Sequence, residues 1–249
     1  MKNVIIFGAS GHGSVIMDCI EKEGKYKLIG FIDSIKQKGL KHNGYEILGT
    51  EFDLPYIIDK YNIFGGIVAI GDNWVRKQVV DKIKKIAPKF SFIRVIHPQT
   101  IIGKNVVIGE GTAIMPGVII NTNSTVGKHC ILNTFSSLDH DGLMHDYSSL
   151  APKVTTGGNF SLGRYSAVCL GGQIIENINI GQHSVIGAGS LVLRSIPNNM
   201  LCYGVPAKII RNRKVGDPYL ASTNQNLKFE YQDNTLNRLF RISYRKSIG

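Results

Sequence analysis

The sequence predicts an α/β domain, a three-sided parallel β-solenoid and a basic C-terminal extension, in that order along 249 residues. Three observations carry the prediction. An apolar residue recurs at almost every sixth position from Ile102 to Val192 without a slip, strand-like and helix-like stretches alternate before residue 96, and Lys and Arg crowd the end of the chain. A chain of this length holds one large core or two modest ones. The change of pattern argues for two, with boundaries at 1–96, 97–213 and 214–249.

In the first region, residues 3–7 are an apolar run, 14–23 have helical spacing, 27–33 form a second strand and 67–70 a third, before a helix through residue 87. This alternation gives a small parallel, Rossmann-like sheet. Between the first strand and helix stands GASGHG, in which Gly8, Gly11 and Gly13 make G-x-x-G-x-G and not the dinucleotide G-x-G-x-x-G. Glycines there let backbone N–H groups and the start of the helix meet a phosphate. Asp33 ends the second strand, where a carboxylate suits ribose or base hydrogen bonds, and residues 69–73, AIGDN, end the third. All three features line one rim. Trp74, next along, either stacks on a base or packs a helix.

The second region is decided by its repeat, because a fixed period is the signature of a solenoid. Stepping by six from Ile102 gives sixteen positions, of which only Thr156 is not apolar. Glycine follows this position seven times, as in Gly103, Gly127 and Gly163, and the fourth position after it is small or β-branched in most hexads, as in Thr112, Ser124, Cys130 and Ser148. A period of six fits neither a helix nor a heptad, but it fits a short strand and a turn. Three such sides close a triangular coil of 18 residues, so sixteen hexads make about five coils. Coils stack at the strand spacing of about 4.8 Å, with long side chains filling the prism and small ones its corners. The glycines are expected to allow a corner that a Cβ would strain. His97 and Pro98 mark the boundary, since proline favours an extended approach to the first coil.

Residues 208–249 hold nine Lys and Arg against three acids, about half of the net charge of +11. The basic excess is thus concentrated in the tail. The chain shows no aromatic-basic interleaving of an RNA-binding sheet, so it does not read as a nucleic-acid protein, and mild basicity suits a phosphate-rich small ligand better. Leu236, Leu239 and Phe240 beside Arg238 and Arg241 suggest an amphipathic helix that covers the solenoid end or a partner subunit, or else meets a membrane surface. Cys19, Cys130, Cys169 and Cys202 form no C-x-x-C pair, so buried free thiols in a reducing compartment are expected. Glycines at 8–13 and then Asp18 cut the first apolar run before a signal-peptide core forms, and no stretch has membrane-spanning length. A cytoplasmic protein is expected.

The hexad pattern resembles that of the hexapeptide-repeat acyltransferases, whose fold is the left-handed parallel β-helix. Residues 203–208, YGVPAK, are similar to the segment that follows the last coil in that superfamily and lies near the coenzyme A phosphates. Lys208 either pairs with such a phosphate or is solvated. Together with the glycine turn, about residues 2–210 resemble the sugar-nucleotide acetyltransferases, a family that includes bacillosamine N-acetyltransferase and sialic-acid O-acetyltransferase. The resemblance implies that Ser10, Gly11, His12, Asp33, Ser34 and Gly71 bind the nucleotide of the substrate, Ser34 standing where the family has a second acid. It implies acetyl-CoA as cosubstrate, no metal, and a homotrimer with sites between subunits. The acceptor it implies is a UDP- or GDP-linked 4-amino sugar for a surface glycan, with O-acetylation of a sugar such as sialic acid as the alternative.

Acyl transfer from a thioester needs a base for the proton of the attacking group and a donor for the tetrahedral oxyanion. Of seven histidines only His140 stands between two acids, Asp139 and Asp141, and its place two after Leu138 points it outward. Asp141 is expected to orient the ring and raise its basicity, as an acid does in a catalytic triad. The family's base likewise lies in an acid-His-acid run after Asn-Thr, here Asn133 and Thr134. Residues 18 apart stack, which puts Gly158 beside His140 as the candidate oxyanion donor. The resemblance adds Ser149, Leu170 and Ala188 as acetyl-CoA contacts, with serine replacing a histidine of well-known members at the first. Two other readings of the solenoid exist. His140 and His145 are five apart, the spacing of two zinc ligands in gamma-class carbonic anhydrases, but Lys104 stands where the third histidine belongs. A non-enzymatic scaffold would leave His140 a solvated surface residue.

Overall fold

The computed structural model describes residues 1–220, so the expected amphipathic stretch around Leu236 to Arg241 lies outside the described residues. The N-terminal strands are β1 (Lys2–Phe7), β2 (Tyr26–Ile32), β3 (Lys41–His42), β4 (Tyr45–Gly49), β5 (Ile63–Val68) and β6 (Ser91–Phe92). They form one sheet in the order β3-β4-β2-β1-β5-β6, parallel except for the β3-β4 hairpin. Helices α1 (Gly11–Glu23), α2 (Leu54–Tyr61) and α3 (Asn73–Ile86) cover its faces.

Several elements differ from their sequence-based limits. Helix α1 begins at Gly11, earlier than its apolar spacing indicates, because Ser10 caps it, its Oγ accepting from Gly13 N at 3.4 Å. Gly13 is needed for space, since a Cβ there would run into the Gly8 carbonyl oxygen. Strand β5 starts at Ile63 and runs through Gly65 and Gly66, which read as breakers in sequence. Both make room for backbone oxygens of neighbouring strands, those of Ser91 and Ile5. The hairpin and α2 are additional elements whose apolar runs are too short to show a period.

The second region is a left-handed β-helix, and its three sides are parallel stacks of two-residue strands. Pairings are offset by 18, as in Ala113 with Ile131 on side one, Ile119 with Ser137 on side two and Thr125 with Leu143 on side three, until the last coil, where Val185 pairs with Leu201 and Ile180 with Ile196 at an offset of 16. The aliphatic positions from Ile114 to Val192 point inward and are buried. Thr156 is buried too, and its hydroxyl is satisfied by backbone, accepting from Asp139 N and donating to Ser137 O at 3.2 and 3.3 Å. The small corner residues donate across to carbonyls, Thr112 to Gly127 O at 2.8 Å and Ser124 to Asp139 O at 2.7 Å, which explains hydroxyls at a buried place.

The corner strain lies elsewhere than expected. The residue three after each aliphatic has positive φ, from Asn105 through Asp141 (φ 56) to His183 and Gly189. The glycines directly after the aliphatics are absent from that set. They serve close packing between coils: a Cβ on Gly103 would lie 2.7 Å from Thr122 N, and one on Gly163 2.5 Å from Gln182 N.

Val95–Ile96 already pairs with Ala113–Ile114, so side one begins two residues before the expected boundary, and His97 and Pro98 fall in the first corner. Residues Met1–Tyr219 form a single compact unit. One core runs from Ile16, Cys19 and Ile20 of α1 into the prism, and a second fills the other face of the sheet around Phe7, Leu54 and Ile83. The two cores expected are thus divided by the sheet and not by the domain boundary. Side one carries the N-terminal part: its outward residues Ala113, Ile131, Ser149, Ala167 and Val185 are all buried. Leu132→Ala, which empties a fully buried place in the prism, is expected to cost about 3 kcal/mol of unfolding free energy in a denaturant titration; a loss under about 1 kcal/mol would contradict a prism filled this way.

Candidate active site

His140 sits on the corner between sides two and three, following the strand Ser137–Leu138 and preceding Leu143–Met144. Asp141 takes the left-handed corner conformation, and this folds its carboxylate back to the ring: His140 Nδ1 and Asp141 Oδ2 are 2.8 Å apart. A carboxylate can only accept, so the neutral ring carries its hydrogen on Nδ1 and leaves the Nε2 lone pair free. Asn123, one coil earlier, donates to Asp141 Oδ1 at 3.3 Å, and Asp139 Oδ1 accepts from His140 N at 2.8 Å. The hydrogen bond to Asp141 raises the His140 pKa above the ordinary imidazole value, and the same bond lowers that of Asp141. Both side chains are about half exposed, 53% and 47%.

Gly158 stands against this ring as the 18-residue stacking predicts. A Cβ at 158 would run into His140 Nε2 and Cε1, so only glycine lets the imidazole lie over the next coil. Among the described residues no acceptor is placed on the Gly158 N–H. A groove of about 460 Å³ opens beside the pair on side two, lined by Asp139, Gly157, Ile175 and Glu176 among others. No three His, Cys, Asp or Glu side chains converge into a metal set among the described residues, and His145 lies exposed on side three.

The N-terminal rim is built differently from its sequence reading. Asp33 braces the glycine turn: Oδ2 accepts from Ala9 N at 2.8 Å, and Oδ1 from Ile35 N and Lys36 N at 2.9 Å each. Burial would raise its pKa, but these backbone donors hold it below the usual carboxylate range. Ser34 donates to Glu51, its Oγ lying 2.8 and 2.6 Å from the two carboxylate oxygens, so an acid is supplied here from the turn before α2. Ser10 and Gly11 are exposed at the start of α1, and nothing stands where a Gly11 side chain would point. His12 is half-buried, and its Nε2 has no partner among the described residues. Burial first, and Arg76 second, push its pKa down to about 4, so it is neutral near pH 7.

Arg76 holds the rim to the β-helix. Its guanidinium is buried, has no carboxylate partner among the described residues, and donates to Ile70 O (2.7 Å) and Gly71 O (2.9 Å) of the rim loop, to Asn73 Oδ1, and to His129 O (2.9 Å) on the corner between sides three and one. Trp74 packs edge-on against Tyr165 of that corner, 5.3 Å between ring centres, which settles its role as packing. Gly71 therefore turns its carbonyl into this joint. Ser149 lies on side one facing the same joint, whereas Leu170 and Ala188 are exposed on the corner between sides one and two, and Lys208 is exposed in the last strand, Ala207–Asn212. One chain thus gathers the rim, Gly71 and Ser149, but leaves His140 and Gly158 on the corner away from side one.

Residues 3–83 match the family model described as the PglD N-terminal domain. The perosamine N-acetyltransferase of Caulobacter crescentus, solved with CoA and GDP-perosamine, superposes with a TM-score of 0.79 at 31% identity over 85% of this chain and 98% of that one. The chain belongs to the sugar-nucleotide acetyltransferases of the left-handed β-helix class. Two further relatives carry related names. The UDP-N-acetylbacillosamine N-acetyltransferase of Bacillus subtilis is 38% identical over 46% of this chain, a stretch spanning about half, 52%, of its own length. The GDP-perosamine N-acetyltransferase of Escherichia coli O157:H7 is 29% identical over 80% of this chain and 81% of that one. Arg76, Glu51 and Tyr219 were missed by sequence reasoning, because their partners come from other elements and no local pattern marks them. An NMR titration is expected to place the His140 imidazole above the ordinary value of about 6.5, and Asp141→Asn to lower it by removing the anion on Nδ1. An unmoved titration would separate the two side chains in solution.

Proposed function

We propose that this chain transfers the acetyl group of acetyl-CoA to the amine of a nucleotide-linked amino sugar, acting as a homotrimer in the cytoplasm. The observation that carries the reading is an exposed imidazole oriented by Asp141 at 2.8 Å, its Nε2 open and a bare glycine backbone beside it. The sugar amine attacks the thioester carbon and forms the new C–N bond while His140 Nε2 takes its proton. Gly158 N–H is assigned as the donor to the developing oxyanion. The C–S bond then breaks, the imidazolium gives its proton to the departing sulfur, and the coenzyme leaves as the free thiol with His140 neutral again. Asp141 keeps the Nδ1 hydrogen in place throughout and stabilises the charged ring.

Ser10, Gly11, His12, Ser34 and Gly71 are assigned to the nucleotide side, with Asp33 as the brace of their turn; Ser149, Leu170, Ala188 and Lys208 are assigned to the coenzyme. Assembly is supported by the separation of these groups from His140, and by exposed apolar residues on side two and its corner, Ile101, Ile119 and Phe135. A second copy's His140 then faces the rim and coenzyme residues of the first. Relatives are named for UDP- and GDP-linked sugars, so both nucleotides belong in the test. The free cysteines and the use of acetyl-CoA support the cytoplasmic setting.

Thiol release from acetyl-CoA, followed with UDP- and GDP-4-amino sugars and with free sialic acid, is expected to respond to an amino sugar, and His140→Ala to lower that rate by about 10²-fold or more. Turnover of sialic acid alone would favour O-acetylation, and an unchanged His140→Ala rate would leave a scaffold. The reactive ring is the neutral one, so kcat/KM should fall as pH drops through the raised His140 pKa. Its acid limb is expected above about pH 6.5 in the unaltered chain and lower in Asp141→Asn, whose plateau rate is also reduced.

A further inference from the structure

The chain continues past the β-helix and folds back onto the joint between the rim and side one. Residues 214–217 make a turn in which Asp217 Oδ2 accepts from Lys214 N at 3.0 Å and Asp217 N donates to Lys214 O at 3.1 Å. Arg213 anchors it, donating from Nε to His183 O at 3.2 Å and from Nη2 to Asp217 O. Gly216, at φ 84, lies against the Trp74 ring, where a Cβ would come within 3.1 Å of two ring atoms. This places the Tyr219 hydroxyl between the rim and the solenoid, 3.2 Å from Gly71 O and 3.2 Å from Ser149 Oγ.

The hydrogen-bond directions follow from the groups. A carbonyl oxygen can only accept, so the one phenolic hydrogen goes to Gly71 O, and the phenolic oxygen accepts the one hydrogen of Ser149. Ser149 is buried, 8% exposed, and its hydrogen is committed, while Tyr219 as a residue is only partly buried. Burial of the hydroxyl pushes the Tyr219 pKa up to about 12, which keeps it protonated over the working range. A ring held at both of its polar contacts, on a side chain with few rotatable bonds, is a stiff surface.

We propose that Tyr219 takes the place of Ser149 at the acyl end of the site and is a specificity-determining residue, its ring forming the wall that limits the acyl group to a short chain. The inference rests on the acetyl-transfer reading, in which position 149 marks the coenzyme and Gly71 the nucleotide sugar. Ser149 then acts at the coenzyme end of the site as the anchor of this wall. Tyr219 lies beyond the stretch that resembles the family, residues 2–210, so the wall is a contribution of this chain's own extension.

The test compares kcat/KM for acetyl-, propionyl- and butyryl-CoA in the full chain with one amino-sugar acceptor. Tyr219→Ala is expected to raise the butyryl-to-acetyl ratio about tenfold or more, as removal of a wall at the end of an apolar pocket does. Tyr219→Phe keeps the ring and is expected to stay within about threefold of the original ratio, because Gly71 O retains its bond from Arg76. Tyr219→Leu serves if the alanine variant does not fold, and is expected to fall between the two. An unchanged ratio in folded Tyr219→Ala or Tyr219→Leu that still turns over acetyl-CoA would overturn the proposal. Absence of thiol release in the unaltered chain with every acceptor would instead overturn the acetyl-transfer reading on which it rests.

Discussion

The left-handed backbone at the fourth residue of each hexad is the constraint on which the rest of this molecule depends. It costs about 1 kcal/mol or more for a side chain other than Gly, Asn or Asp, yet this chain places His129, Phe135, Tyr147, Lys153, Tyr165 and His183 there. What offsets the strain differs from corner to corner. Between sides three and one, His129, Tyr147, Tyr165 and His183 stack on one another with ring centres 4.6 to 5.6 Å apart, a ladder against which α3 packs. At Asp141 the same conformation folds the carboxylate onto His140 Nδ1, so the turn that closes the prism also sets the tautomer of the base.

A second constraint is the buried Arg76 guanidinium. With no carboxylate partner among the described residues, its charge is met by carbonyl oxygens from the rim loop and from the β-helix corner, and losing either set would leave a buried cation unsatisfied. The rim loop and side one are therefore held as one body. Tyr219 closes the same joint from the C-terminal side through Gly71 O and Ser149. These contacts explain why one chain presents the rim and side one as a rigid platform while leaving His140 on a different corner.

The solenoid was legible because its information is periodic. One apolar residue in six indicates the inward positions, and a stack offset of 18 puts Gly158 at the His140 ring. The role of the glycines was not legible, since closeness to the next coil and freedom in φ leave the same mark in sequence; the aromatic corners show that φ alone does not select glycine here. In the rim, Asp33 and Ser34 were visible as residues but not in their duties. Whether a carboxylate faces a ligand or its own backbone depends on contacts 24 residues away, with Ala9 N, and the acid that meets Ser34 comes from Glu51 in a short turn without a period. Ser10 was visible as a ligand candidate, yet its N-cap bond to Gly13 N also moved the start of α1.

The central claim is that catalysis needs the base of one chain and the rim of another. Complementation tests it most directly, pairing His140→Ala, which keeps the rim, with Gly11→Trp, which fills the open space at the start of α1 and keeps the base. Equal mixtures of the two inactive variants, co-assembled, should regain roughly a quarter of the unaltered activity, because one site in four then combines an intact base with an intact rim. A mixture as inactive as its components, in assemblies shown to contain both chains, would mean that a single chain supplies both parts, contrary to this account.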